Sequence, residues 1–356
     1  MKYLGTLILV SFILWACTKD KIPYKVTPYE LEIPTHFPQM QIPEDNPMTI
    51  EGVELGRKLF YETKLSLDNT ISCASCHSQE NAFSDPKQFS EGVSGTLGNR
   101  NSMALINLGW QQSFFWDGRA KTLEAQILEP VPNPIEMHQS WEKTVSKLSE
   151  DQNYRDDFLE AFDSKTISKE LVSKAIAQFL RTLISANSKY DVIYKVSNSL
   201  SLTETDQLIW NQITPEEISG YDLFKSLNGA DCFHCHNGAL MQVQKFSNNG
   251  LDINPLDYGR ELITGNTSDH GKFKVPTLRN IALSAPYMHD GRFATLDEVI
   301  EQYSTGVKKT EDTDPLIEFA HQGGVQLNAS QKSALKAFLL TLTDYEFVKN
   351  KKFAKP

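Results

Sequence analysis

The chain has 356 residues, 40% of them hydrophobic and 22% charged, which suits two ordinary globular domains better than one helical core. Its negative mean hydropathy excludes a polytopic membrane protein. A formal net charge of -10 excludes the basic stripe that nucleic-acid binding requires and suits a basic protein partner instead.

The first sixteen residues, MKYLGTLILVSFILWA, place one lysine before an apolar run too short to span a bilayer, and read as a secretory signal. Leu14-Trp15-Ala16-Cys17 has the pattern of a bacterial lipobox, so residues 1–16 are expected to be a lipoprotein signal and Cys17 the lipidated first residue of the mature chain. Residues 17–50 are rich in proline and polar side chains without helical period, the pattern of a tether and an extended arm.

The five cysteines are Cys17, Cys73, Cys76, Cys232 and Cys235. Cys73-Ala-Ser-Cys76-His77 and Cys232-Phe-His-Cys235-His236 both fit C-x-x-C-H, in which two thiols bind the vinyl groups of one haem and the next histidine ligates its iron. A four-cysteine zinc site would leave both histidines unused, and a thioredoxin-type pair would need a βαβ pattern that is absent. The motifs therefore predict two covalent haem c groups, with His77 and His236 as iron ligands. Export agrees, because c-type haem is attached outside the bacterial cytoplasm.

The chain also repeats itself. G-x-x-L-F precedes each haem motif, at Gly56 to Phe60 and Gly220 to Phe224, and F-L-x-T-L closes each half, at Phe179 to Leu183 and Phe338 to Leu342. Between them, Leu105-Ile106-Asn107, Asp117-Gly118-Arg119 and Thr122-Leu123-Glu124 recur 173 positions later as Leu278-Arg279-Asn280, Asp290-Gly291-Arg292 and Thr295-Leu296-Asp297. The reading is a mainly α fold of two cytochrome c-like haem domains in tandem, at 51–205 and 206–356. Thr-Glu-Thr-Asp and Thr-Pro-Glu-Glu mark helix starts near the boundary.

Divergence between the copies points to chemistry. The 173-residue offset sets Pro130 against Tyr303, Trp116 against His289 and Gln126 against Val299. If that face looks at the iron, a phenol closes the second haem and a proline leaves the first open; a half-buried core tyrosine is the plain alternative. Glu136 lies in the proline-framed V-P-N-P-I-E-M-H loop of the first half, where a carboxylate could shuttle a proton on bound peroxide, or could simply face solvent. Gln126 could orient peroxide or water, and Trp116 could relay electrons between haems or merely pack in a core.

C-A-S-C-H, R-N-S at 100–102, F-W-D-G-R-A at 115–120, N-P-I-E-M at 133–137, C-F-H-C-H, and V-P-T-L-R-N through P-Y-M-H-D-G at 275–291 together resemble the bacterial di-haem cytochrome c peroxidase family, in particular its MauG-like branch. The resemblance, over about 50–345, implies a peroxidatic N-terminal haem, an electron-transfer C-terminal haem, and a calcium ion and a tryptophan between them. It implies Glu136 as catalytic acid-base, Gln126 as a distal-pocket residue and Trp116 as the bridge. Asn101 and the backbone oxygens of Ser284 and Pro286 would bind calcium, Ser284 standing where a threonine is usual.

Two positions depart from the better-known peroxidases. Val93 replaces a histidine that blocks the peroxidatic iron, and Tyr303 replaces a methionine ligand of the second iron, as in MauG. Met288 is the alternative ligand. A phenolate favours ferric iron, so the second haem would have a low potential.

The expected activity is reduction of hydrogen peroxide with electrons from a reduced cytochrome or another periplasmic donor, as a cytochrome-c peroxidase held by a lipid anchor on the periplasmic side. A MauG-like oxidase acting on a protein or organic substrate is the second reading, and an electron-transfer cytochrome without turnover the third. No nucleic-acid partner is expected, and a homodimer is compatible with the sequence.

Overall fold

A computed structural model describes residues 25–356; the signal and lipobox at Leu14 to Cys17 lie outside the described residues. Among the described residues, thirteen α-helices make up most of the regular structure. In the first half they are α1 (Ile50–Phe60), α2 (Cys73–Cys76), α3 (Leu123–Ile127), α4 (Trp141–Glu150), α5 (Gln152–Phe162) and α6 (Lys169–Arg181). Connecting helices α7 (Lys189–Ser197) and α8 (Glu204–Trp210) lead to α9 (Pro215–Lys225), α10 (Glu261–Thr264), α11 (Leu296–Glu301), α12 (Ala329–Leu340) and α13 (Tyr345–Lys349). The two-residue strands β1 (Phe246–Ser247) and β2 (Phe273–Lys274) pair antiparallel, Phe246 opposite Lys274. Among the described residues, no helix is long and apolar enough to cross a membrane.

The repeated motifs have physical counterparts. Helix α1 starts on a Thr49 cap that accepts from Gly52 N–H and ends with Arg57 and Lys58, charges that suit the helix dipole. It buries Val53, Leu55, Leu59 and Phe60 and crosses α6 at Gly56, where an added Cβ would stand 1.9 Å from the Ala175 carbonyl oxygen. Helix α9 crosses α12 in the same way, with Gly220 at 1.9 Å from the Ala334 oxygen by the same measure. The glycine of G-x-x-L-F is thus the helix crossing point, and the leucine and phenylalanine of the first copy pack beneath it.

The closing motifs end their helices rather than lying wholly inside them. Helix α6 stops at Arg181 and α12 at Leu340, and the next residue, Thr182 or Thr341, turns its hydroxyl back onto the Phe179 or Phe338 carbonyl at 2.7 and 2.6 Å. A threonine hydroxyl bonded to the preceding turn competes with continued helix.

Asn107 and Asn280 both take left-handed backbone, with φ of 54° and 58°, a conformation asparagine tolerates. Their backbone N–H groups reach the Leu183 and Leu342 carbonyls, tying each central loop to the end of its closing helix. Side-chain amides then cross-link the halves: Asn107 brackets Ser185, while Asn280 donates to Ser185 Oγ and accepts from Asp344 N–H. Thr203 and Thr214 cap α8 and α9 with full capping boxes, the helix starts expected from Thr-Glu-Thr-Asp and Thr-Pro-Glu-Glu.

Among the described residues two large apolar clusters form, one around Leu59, Phe60, Ile176 and Phe179 and the other around Phe224, Leu335 and Phe338, with a small third one of Val307, Ile317 and Ala320. Chain order is crossed at two points: Tyr190 joins the second cluster, and Phe347 and Phe353 from the C-terminus join the first. Residues 25–49 contain no helix, as their composition implies, yet pack firmly, burying Phe37, Met40 and Met48. Within this arm His36 Nε2 meets the buried Asp191 carboxylate at 2.7 Å, and Arg279 completes the group from the other side at 2.6 Å. Asp191 is held well below the usual carboxylate range, against the cost of its burial, chiefly by the Arg279 guanidinium.

Candidate functional site

One cavity of about 780 Å³ runs between the two clusters and is lined by all four described cysteines and both motif histidines. In the first half, Ser72 caps α2, which carries Cys73 and Cys76, and the chain then turns back so that His77 faces the cavity. His77 Nδ1–H donates to the Phe83 carbonyl at 3.0 Å, which leaves Nε2 as the free ring nitrogen. Ser102 Oγ holds the Cys76 carbonyl at 2.9 Å and lies 3.3 Å from the same Nδ1. In the second half, Cys232–His234 form a single 3₁₀ turn, and His236 N–H closes onto the Cys232 carbonyl at 3.0 Å.

Burial lowers both imidazole pKa values, that of His236 to about 4, so each ring is neutral, the form that binds iron. Burial also pushes the Cys73 and Cys232 thiols up to about 12. The four thiols are unpaired, and His236 Nδ1 is a buried polar atom without a hydrogen-bond partner. Four free thiols and two neutral imidazoles around an apolar cavity fit two covalently attached haems, and no disulfide competes for the sulfurs.

The residues singled out by the repeat all line this cavity: Gln126, Pro130 and Glu136 from the first half, Val299 and Tyr303 from the second, and Trp116 with His289. Glu136 is held by its own loop, Asn133 Nδ2 donating to Oε1 at 2.6 Å. Burial raises its carboxyl above the ordinary glutamate value; Asn133 and Arg119 oppose that rise, and Glu129 reinforces it. Glu136 also adds to the upward displacement of the Cys73 and Cys76 thiols, and all three side chains belong to residues that line the same cavity.

Val93 is absent from the lining. Its N–H donates instead to the Glu136 carbonyl at 2.8 Å, and neighbouring Gly92 lies so close to the Ile135 carbonyl that a Cβ would stand 2.3 Å away. The loop that carries Val93 therefore braces the loop that carries Glu136. His138, three residues beyond Ile135, is exposed and outside the lining.

Trp116 joins the halves through its polar atoms. Its indole N–H donates to the Asn101 carbonyl at 2.8 Å, and its own carbonyl accepts Lys274 N–H at 2.7 Å. Asn101 is buried, with its amide nitrogen on the Lys87 and Gln88 carbonyls at 3.2 Å each, and its N–H reaches the His289 carbonyl at 2.7 Å. Ser284 and Pro286 line the same cavity. The His289 ring stacks on Phe273 at 3.8 Å between centroids.

Tyr303 lies in a wide π-type turn, Gln302–Gly306, that continues α11. Its hydroxyl accepts from Asn249 Nδ2 at 3.1 Å, and the same amide lies 3.6 Å from Met288 Sδ. Both candidate ligands thus converge on one asparagine. Burial pushes the Tyr303 phenol up to about 12, with Asn249 acting in the opposite direction.

Four further cavity residues were not singled out by sequence reasoning: Asn133 beneath Glu136, Asn249 beneath Tyr303, and Gln111 and Lys274 near Trp116. Asn133 stood inside the N-P-I-E-M motif and could have been read from it. The other three carried no local signal.

Residues 50–199 match the family model described as di-haem cytochrome c peroxidase. The cytochrome c551 peroxidase of Nitrosomonas europaea is 35% identical over 309 residues, covering 83% of this chain and 81% of that protein. The cytochrome c peroxidase of Escherichia coli K12 is 35% identical over 296 residues, covering 80% of this chain but 60% of that longer protein. A crystal structure of a MauG-like protein associated with microbial copper homeostasis superposes with a TM-score of 0.81 at 36% identity, covering 92% of this chain and 99% of that one.

Proposed function

The chain belongs to the di-haem cytochrome c peroxidase family, and on that premise we propose that it reduces hydrogen peroxide to water with two electrons from a cytochrome or other periplasmic donor. The observation that carries this reading is Glu136: a half-buried carboxylate, held by Asn133, on the wall of the cavity that Cys73, Cys76 and His77 also line. When bound, the haems would supply the two electrons that cleavage of the O–O bond to the level of water requires. Cys73, Cys76, Cys232 and Cys235 would hold them, with His77 and His236 on their irons.

The chain's own part is proton handling and positioning. Glu136 takes a proton from one peroxide oxygen and returns it to the other, which leaves as water; two electrons and two further protons complete two waters. Gln126 orients the peroxide by its amide. Asn133 fixes the carboxylate that moves the proton, and Trp116, bonded to both halves, lies on the route for electrons. Asn101 Oδ1 with the Ser284 and Pro286 carbonyls would take calcium, an all-oxygen set suited to that ion. The N-terminal half, 51–205, carries the peroxidatic role and 206–356 electron transfer, with Cys17 lipidated and the protein on the periplasmic side, as a monomer or homodimer.

Tyr303 supports a second reading. A phenolate on the second iron would favour the ferric state and disfavour a ready electron store, which suits oxidation of a protein or organic substrate. The test is peroxide-dependent oxidation of reduced cytochrome c by the haem-loaded protein. Turnover supports the peroxidase; a reaction with peroxide that leaves reduced cytochrome c unconsumed supports the oxidase, and no reaction with peroxide removes both.

A further inference from the structure

Three side chains of the cavity wall are ordinarily cationic at neutral pH: Arg100, Arg119 and Lys274. Arg100 is matched by Asp117 and Asp257, each at 2.6 Å, and Arg119 by Asp117 at 3.0 Å and Glu129 at 2.6 Å. Lys274 differs. It is 5% exposed, and among the described residues its ammonium has no carboxylate partner; its hydrogen bond goes to Gln111 Oε1 at 3.2 Å. Two of its three donor positions remain for something else.

The position is built. Lys274 N–H is fixed on the Trp116 carbonyl at 2.7 Å, and the residue sits opposite Phe246 in the β1–β2 pair. Gln111 is locked in turn by a reciprocal amide pair with Gln242, whose Nε2 also donates to the Val275 carbonyl at 2.6 Å. The ammonium is therefore held at the junction of the two halves, Gln111 coming from one and Lys274 and Gln242 from the other. A buried cation without a counter-charge is costly, so such a group either loses its proton or meets an anion. A haem c group carries two propionates, and a haem held by either motif would bring anions of that kind to the cavity.

We propose that Lys274 is the internal counter-ion of a haem propionate at the junction of the two halves, positioning that haem and raising its reduction potential. The proposal rests on the di-haem reading. Burial lowers the lysine pKa to about 8 with no anion beside it, and a propionate at Nζ would restore the charge. Reduction adds negative charge to the haem, so a fixed cation nearby favours the reduced form. Lys274 acts through the haem edge and is a positioning residue, placed beside the backbone of Trp116.

The experiment compares wild type, Lys274→Met and Lys274→Arg. A pyridine haemochrome count on the wild type tests the di-haem reading by itself, and fewer than two haems overturns that reading whatever Lys274 does. With two haems present, spectropotentiometry and the propionate-bending bands in resonance Raman test the proposal. Lys274→Met is expected to shift one haem's reduction equilibrium at least tenfold toward the oxidised form, which is 59 mV for a one-electron couple, and to move one propionate band. Lys274→Arg should stay within about threefold of wild type, because it keeps the charge. Unchanged potentials and bands in Lys274→Met overturn the proposal. If that variant fails to load haem, Lys274→Arg decides: two haems with near-native potentials support the counter-ion, and failure of both variants overturns it.

Discussion

Replacing Gly56 by alanine sets helix propensity against packing. Alanine is favoured over glycine inside a helix by about 0.5–1 kcal/mol, so α1 considered alone should gain stability. In the fold, the new methyl would stand 1.9 Å from the Ala175 carbonyl oxygen, 2.6 Å from its carbon and 3.0 Å from Phe179 Cβ. Relief to a 3.0 Å approach means parting α1 and α6 by about 1 Å, because the obstructing atoms are backbone and cannot rotate away. Overpacking of this kind costs about 1–3 kcal/mol, and a backbone obstruction belongs at the upper end, leaving a net loss of about 2 kcal/mol. Phe60, Ile176 and Leu180 lie on these two helices and line the haem cavity, so the first haem should feel the separation. The assay is urea unfolding of the haem-loaded protein, read by helical circular dichroism and by the Soret band, with Gly220→Ala as the counterpart in the second half. A Gly56→Ala protein as stable as wild type, or more so, would refute the crossing-point argument.

Glu136→Gln keeps an oxygen to accept from Asn133 and should preserve haem loading while slowing peroxide turnover by about 100-fold to 10,000-fold. Because burial raises the folded-state pKa of Glu136, its ionised form costs stability above that pKa; the glutamine variant should equal or exceed wild type in thermal stability at neutral pH, an advantage that fades as pH falls through the folded value toward the ordinary one. Tyr303→Phe should convert the second haem to high spin while Met288→Leu leaves its spectrum unchanged, and the reverse pattern would make Met288 the ligand. With Val93 turned to the Glu136 loop and His138 exposed, the resting oxidised protein should show one high-spin haem by electron paramagnetic resonance and react with peroxide without prior reduction; two low-spin haems and no reaction would overturn this. Phe347→Ala, which removes a ring 5.6 Å from that of Phe83, should cost about 3–5 kcal/mol in urea unfolding and loosen the carbonyl that orients His77; a loss under 1 kcal/mol would deny the C-terminus that bracing role.

Much of this protein is written in short stretches of sequence, because its chemistry depends on neighbours along the chain. Two thiols and an imidazole within five residues suffice for covalent haem, so Cys73 to His77 and Cys232 to His236 could be singled out without a fold. The duplication was equally legible: a helix crossing needs a glycine, a left-handed turn suits an asparagine and a helix start suits a threonine, so Gly56 and Gly220, Asn107 and Asn280, Thr122 and Thr295 recur in the same order. Helix ends were less legible, since the threonines of F-L-x-T-L turn their hydroxyls back and stop the helix inside the motif.

The tertiary structure alone decided which residues distant along the chain meet. Trp116 bonds to Asn101 and Lys274, Tyr303 shares Asn249 with Met288, and the C-terminal Phe347 and Phe353 pack on Phe83, whose carbonyl accepts from His77. No periodicity announces such pairs, because each is fixed by long-range packing and not by any local backbone preference. Lys274 shows the limit most plainly. In the sequence it is one lysine before V-P-T-L-R-N, and only burial, by withdrawing water and every acidic neighbour, turns its charge into a demand for a partner.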